Sequence, residues 1–353
     1  MKYVKAAAPG KVNISLRVGK VREDGFHPLD TVFEALDIYE IVEAWNDPSG
    51  EISLSFAEGT GGGLPTDGRN IVVRAAHLVR EYCAVHALSA YDNPALLGAR
   101  IRITKGIPIA GGMAGGSADA AATLVALVRL WEIDIAQEDL AALAAQLGSD
   151  VPFCLMGGLA RGQGRGEKLT AIQAGCTHGF VLLINPRGLS TPDVFHEYDR
   201  LCAIPRSQVS QSQAEAGTPP ALCAALGGKD LRAIGQLMVN DLEEPAFSLR
   251  PDVGAIVHSL RSAQCGSVQG AGSDQSGSAP SGNVQGGASQ GADADIVQPA
   301  GVILSGSGPT VAVLCEPQHR EAMRELLSSE FPQLRLISAT GPAQGAHVVC
   351  ELQ

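Results

Sequence analysis

The run Pro108–Ala122, PIAGGMAGGSADAAA, constrains this chain more than any other, because it joins a glycine-dense loop directly to a stretch with helical periodicity. Ala121, Leu124, Val125 and Val128 recur at the spacing of one helix face. Glycine at 111, 112, 115 and 116 removes the Cβ atoms that keep a ligand off the backbone. It also permits positive φ, so several N–H groups can converge on one anion. The positive end of the helix dipole falls at the same place. Ser117 is expected to cap the helix. The junction reads as a phosphate site, with a tight turn under a closely packed helix as the alternative.

The surrounding sequence supplies a strand before this loop. Ala99–Lys105 alternates, as do Val12–Val18 and Ile52–Phe56, and Thr31–Glu43 is strand-like with polar interruptions. Asn70–Tyr82 has helical spacing. Leu140–Leu147 is a short helix ending at Gly148, which places Asp150 on the loop beyond it. Phe180–Ile184 reads as a second apolar strand that begins another domain, and Leu222–Val239 reads as helical. Residues 262–298, rich in glycine, serine, glutamine and aspartate, have too few large apolar groups to offset their ordering entropy and are expected to be a disordered insertion. A second glycine cluster, LSGSGPTVAVL at 304–314, is either a hairpin turn or a turn facing a ligand.

A chain of 353 residues exceeds the usual single core, so two domains are expected. The formal net charge of −11 argues against nucleic acid or an anionic membrane as a partner, while leaving room for a small phosphate ligand. Eight cysteines show neither a CxxC pair nor zinc-site spacing and read as reduced, mostly buried thiols. The amino terminus lacks an apolar leader, and no window reaches the roughly 18 apolar residues needed to span a bilayer. A cytoplasmic protein is expected. GxxxxGK[ST], GxGxxG after a strand, HExxH and EF-hand patterns are absent, and GGSAD around Ser117 misses the GxSxG elbow at its last position.

Three separated segments fall in one order: PGKVN at 9–13, PIAGGMAGGSADAA at 108–121 and SGSGPT at 305–310. The trio resembles the GHMP small-molecule kinases. DGFH at 24–27, RNIVVRAA at 69–76, LGSDVPFCLMGG at 147–158 and GLSTPDVF at 188–195 resemble the branch of that superfamily whose substrate is a cytidine-diphosphate sugar alcohol of the non-mevalonate isoprenoid route. Homoserine- and mevalonate-type kinases share the glycine loops but are not expected to share DGFH. A nucleotide-binding protein without catalysis is the further alternative.

The resemblance implies a two-domain α+β fold. Residues 1–172 would form the ATP-binding domain with a left-handed βαβ unit, and residues 173–353 an α/β carboxyl-terminal domain carrying the insertion 262–298, with the substrate cleft between them. It implies ATP and Mg2+ as cofactors, phosphorylation of the substrate's 2-hydroxyl, and a monomer or homodimer. Pro108, Ile109, Ala110, Gly111, Gly112, Met113, Ala114, Gly115, Gly116 and Ser117 would hold the triphosphate, with the Ser117 hydroxyl next to magnesium. Asn70 and Val72 would lie at the adenine. Asp150 would take the proton of the alcohol and Lys11 would hold both partners. Asn13 would contact substrate, as would Gly306 and Gly308. Phe26 and Phe195 would stack on cytosine, His27 would bind its edge and Thr191 would lie on the cytidine side.

Overall fold

The computed structural model describes residues 2–86, 93, 96–109, 111–203, 218, 220–266 and 298–352. Ala110 and most of the 262–298 insertion lie outside the described residues. The chain begins with strands β1 (Tyr3–Val18), β2 (Leu29–Asp47) and β3 (Ile52–Phe56), helix α1 (Ile71–His86) and strand β4 (Gly98–Thr104). Helices α2 (Gly115–Leu130), α3 (Gln137–Leu147) and α4 (Val151–Met156) follow, then strands β5 (Leu159–Gly164), β6 (Lys168–Ala171) and β7 (His178–Ile184). Next come α5 (Thr191–Cys202), α6 (Pro220–Leu226), α7 (Leu231–Leu237), β8 (Val239–Asn240), α8 (Glu243–Leu249) and α9 (Pro251–Gly266). The chain closes with β9 (Gly301–Leu304), β10 (Val311–Cys315), α10 (Arg320–Glu330), β11 (Arg335–Gly341) and β12 (His347–Leu352).

The first sheet has the order β12-β1-β2-β4-β3, with β5 and β6 continuing from β2 and β8 beside β1. Strands β3 and β4 are parallel, so α1 between them completes a βαβ unit. Helix α2 is buried along nearly all of Ala118–Leu127. Its alanines leave little bulk between the helix axis and the sheet, against which it packs on β1 and β2. The second sheet, β11-β7-β10-β9, is antiparallel, and every residue of β7 and β10 is buried. Val181, Val302, Leu304 and Val313 of that sheet share a core with Leu16 and Val18 from the end of β1. Among the described residues, no helix is long and apolar enough to cross a membrane.

Strand β1 carries the site because its second edge is interrupted. Tyr3–Ala7 pair with β12 and Ser15–Leu16 with β8. Between them the Lys11 N–H donates to the Met113 carbonyl at 3.1 Å, so the glycine loop docks where a neighbouring strand would otherwise lie.

Three sequence expectations are corrected. Helix α2 opens at Gly115 with Ala114 as its N-cap at φ 61°, so Ser117 sits inside the first turn and caps nothing. Asp150 lies, as expected, in the short turn past Gly148, where it precedes α4. The helical stretch expected over 222–239 is two helices, α6 and α7, because Gly227 and Gly228 interrupt it and Asp230 caps the second piece by accepting from the N–H groups of Arg232 and Ala233. The start of the insertion is ordered, since α9 continues through Ser262. The thiols are also less hidden than expected: Cys83, Cys154 and Cys315 are buried, but Cys202 and Cys350 are exposed.

Candidate active site

Lys11 lies in the middle of β1 and is buried. Its ammonium donates to Asn13 Oδ1 at 2.8 Å and to the Gly112 carbonyl at 2.9 Å, and stands 3.9 Å from Asp150 Oδ2. The Phe33 ring faces it at 5.8 Å. Burial pulls the lysine below its ordinary value, and the Asp150 charge opposes that shift. Beside them the Cys154 thiol is pushed well up by burial, so it stays protonated and neutral.

Gly112 joins three parts of the site. Its φ is 72°, and a Cβ there would meet the Ser305 carbonyl and stand 3.0 Å from the Gly308 carbonyl oxygen. Its own carbonyl accepts from Lys11 and from Ser305 Oγ at 3.2 Å. The β9–β10 hairpin is therefore both a turn and a wall of the site: Gly306, at φ 57°, faces Lys11 and Asn13, and Asn240 Nδ2 holds its carbonyl at 2.7 Å. Ser307 Oγ is 2.8 Å from Thr191 Oγ1, which ties this turn to the start of α5.

Gly115 is pressed against Glu40, whereas a Cβ on Gly116 would meet nothing within 4 Å. The absence of a side chain at 116 has no packing cause. Beneath the first turn of α2, Lys105 Nζ lies 2.6 Å from both Glu40 Oε1 and Asp119 Oδ2. Burial raises both carboxyls, Glu40 to about 7 and Asp119 to about 6. Asp119 is thus engaged below the loop, away from the ligand side.

Two adjoining cavities complete the site. One, of about 270 Å³, is lined by Lys11, Asn13, Gly112, Asp150, Thr191 and Gly306. The other, of about 710 Å³, is lined by Phe26, His27, Ser117, Asp150, Arg165 and Phe195 among others. Asp150, Thr191 and Phe195 border both. His27 Nε2 is 2.9 Å from Asp199 Oδ1, and its ring lies 5.0 Å from that of Phe195. Phe26 is half-exposed, with the Arg165 guanidinium 5.0 Å from its ring centroid.

Lys11, Asn13, Asp150, Ser117, Phe26, His27, Thr191, Phe195 and Gly306 thus converge. Asn70 and Val72 border neither cavity: Asn70 accepts from the Val72 N–H at 2.9 Å at the start of α1, and the Val72 side chain is in the core. Gly308 shapes the hairpin at φ 80°. Sequence reasoning missed Thr31, Ser307, Asp199, Arg165 and the Glu40–Lys105–Asp119 cluster. For Asp199, four residues after Phe195 on α5, the i, i+4 spacing was the available signal.

Residues 70–158 match the family described as GHMP kinases N terminal domain. Over 353 residues the chain is 37% identical to the 4-diphosphocytidyl-2-C-methyl-D-erythritol kinase of Leifsonia xyli subsp. xyli, an alignment covering 99% of this chain and 100% of that protein. A crystal structure of 4-(cytidine 5'-diphospho)-2C-methyl-D-erythritol kinase superposes with a TM-score of 0.64 at 27% identity, covering 95% of this chain and 98% of that one. Homoserine kinase from Cytophaga hutchinsonii superposes with a TM-score of 0.68 at 18% identity over 98% and 97% of the two chains. Backbone likeness alone does not separate these activities, since the homoserine kinase fits at least as well. The separation rests on sequence.

Proposed function

This chain belongs to the 4-diphosphocytidyl-2-C-methyl-D-erythritol kinase family, and from that premise we propose that it transfers the terminal phosphoryl group of ATP to the 2-hydroxyl of that cytidylated alcohol, in the non-mevalonate route to isoprenoid precursors. One observation carries the choice of substrate over the homoserine and mevalonate types: Phe26, His27 and Phe195 border the same cavity as Asp150 and Ser117. Two rings flanking a polar edge suit a nucleobase, and stacking of this kind contributes about 1 to 3 kcal/mol per base. The contact of His27 Nε2 with Asp199 Oδ1 at 2.9 Å holds the ring from one side and leaves Nδ1 for the polar edge of the base.

In-line phosphoryl transfer needs positioning and charge stabilisation more than covalent chemistry. The N–H groups at the start of α2, from Gly115 to Ser117, would receive the phosphates, and the bare surface of Gly116 would let them approach. Asn70 and Val72 are assigned to the adenine side through the backbone at the start of α1. Lys11 would hold the attacking oxygen beside Asp150. A carboxylate is a far weaker base than an alkoxide, so Asp150 accepts the proton late, as the oxygen bonds to phosphorus. Among the described residues no group of three His, Cys, Asp or Glu side chains could hold a metal ion. Magnesium, carried on the triphosphate, would find the Ser117 hydroxyl as a protein oxygen at hand and would neutralise phosphate charge. Residues 1–172 would supply the nucleotide side and 173–353 the remaining wall, in a cytoplasmic monomer or homodimer.

ADP release measured with the cytidylated methylerythritol, mevalonate and homoserine tests this reading. Turnover is expected with the first alone, and turnover only with either of the others would sink it. Asp150→Asn should leave nucleotide binding intact and lower kcat by about two to four orders of magnitude. Near-normal turnover would remove Asp150 as the base and favour a role in shaping the pocket.

A further inference from the structure

We propose that Thr31 is a positioning residue for phosphoryl transfer, its hydroxyl fixing which end of the Asn13 amide faces Lys11. Thr31 lies on β2, is fully buried and borders the smaller cavity. Its Oγ1 donates to the Ser15 carbonyl at 2.6 Å. A hydroxyl has one proton, and with that proton committed to Ser15, the oxygen can only accept from its other neighbour, the Asn13 amide, 2.8 Å away. The amide must therefore turn its NH2 toward Thr31 and its carbonyl toward Lys11, which donates to it at 2.8 Å. Polarity passes from one backbone carbonyl through two side chains to the ammonium. The β1–β2 register shifts between Asn13 and Ser15, where the relay is made, and such bulges recur beside active sites because they re-aim side chains.

The consequence is electrostatic. An acceptor facing a buried ammonium favours its charged form, and an NH2 in the same place would disfavour it. The groups facing Lys11 are few. Helix α4 presents Asp150 at its start and Cys154, β2 presents the Phe33 ring, the glycine loop presents the Gly112 carbonyl, and the β9–β10 turn presents Gly306. Asp150 stands at 3.9 Å, so Asn13 supplies one of the two short contacts that hold the charge.

The effect on rate rests on the kinase reading, whereas the relay itself can be measured without substrate. The Lys11 side-chain nitrogen is followed by 15N NMR as a function of pH in the ligand-free protein, for wild type, Thr31→Val and Thr31→Ser. Valine keeps the shape and removes the acceptor, so Lys11 should lose its proton at lower pH, while serine should restore the wild-type titration. In the assay Thr31→Val should lower kcat by about 10- to 100-fold with the KM for ATP unchanged. If the valine variant fails to fold, Thr31→Ala carries the same expectation. In an Asn13→Asp background, where both ends of the side chain accept, Thr31→Val should shift the Lys11 titration less than it does alone. A folded Thr31→Val protein in which Lys11 titrates as in wild type overturns the proposal, as does a serine variant that behaves like valine. Absence of ADP formation by wild type would instead count against the kinase reading and leave the titration to decide the relay.

Discussion

At the scale of single residues, the glycines of the loop separate by what surrounds them. Gly112 cannot carry a side chain, because its left-handed backbone presses on the carbonyls of the β9–β10 turn. Gly116 can, since it lies in a helix with open space around its α carbon. Gly116→Ala is therefore expected to leave the fold intact and to raise its stability by up to about 1 kcal/mol from helix propensity. It should also raise the KM for ATP, because a methyl group would occupy the space of a phosphate. Thermal melting together with nucleotide titration checks both halves, and unchanged affinity would mean that phosphate does not approach Gly116. Gly112→Ala should lose stability and activity together. The four glycines look alike in sequence. Only their surroundings distinguish the one that packing requires from the one that packing leaves unexplained.

At the scale of elements, the first turn of α2 rests on a cluster of two carboxyls and one ammonium. The raised Glu40 and Asp119 take up protons more readily folded than unfolded. They therefore favour the folded state most at pH below about 4, and that contribution fades as pH rises through about 6 and about 7. The denaturation midpoint should fall from about pH 5 to about pH 8, and Asp119→Asn should flatten that fall. An equally steep curve in the variant would show that other groups set the slope. The strands were largely legible from alternation, and α2 and α3 from spacing. The break between α6 and α7 was written in Gly227, Gly228 and Asp230, but an apolar pattern on both sides outweighed it. The cap of α2 was misplaced because Ala114 adopts a left-handed conformation that alanine rarely takes, and only the docked loop imposes it. Thr31 and Ser307 were not legible, because each acts on a partner distant in sequence.

At the scale of the molecule, the two sheets are joined by a buried pair. His178 of β7 lies 2.8 Å from Glu34 of β2, with both side chains fully buried. Thr340 of β11 adds hydrogen bonds from its N–H and hydroxyl to Asp37, also of β2. Removing one partner of a buried pair leaves the other without compensation, at about 3 to 5 kcal/mol. His178→Ala should lower stability by that order, read from the urea midpoint, while Glu34→Gln, which keeps a hydrogen bond, should lower it less. Equal losses would mean that packing rather than the hydrogen bond joins the sheets there. The same view of the whole gives the last strand a particular standing. Because β12 lies against β1, one edge of the strand that carries Lys11 is covered only by a pairing between segments far apart in sequence. Until that long-range pairing closes, the folding chain presents unpaired backbone groups beside Lys11, an open edge on which another strand could pair wrongly.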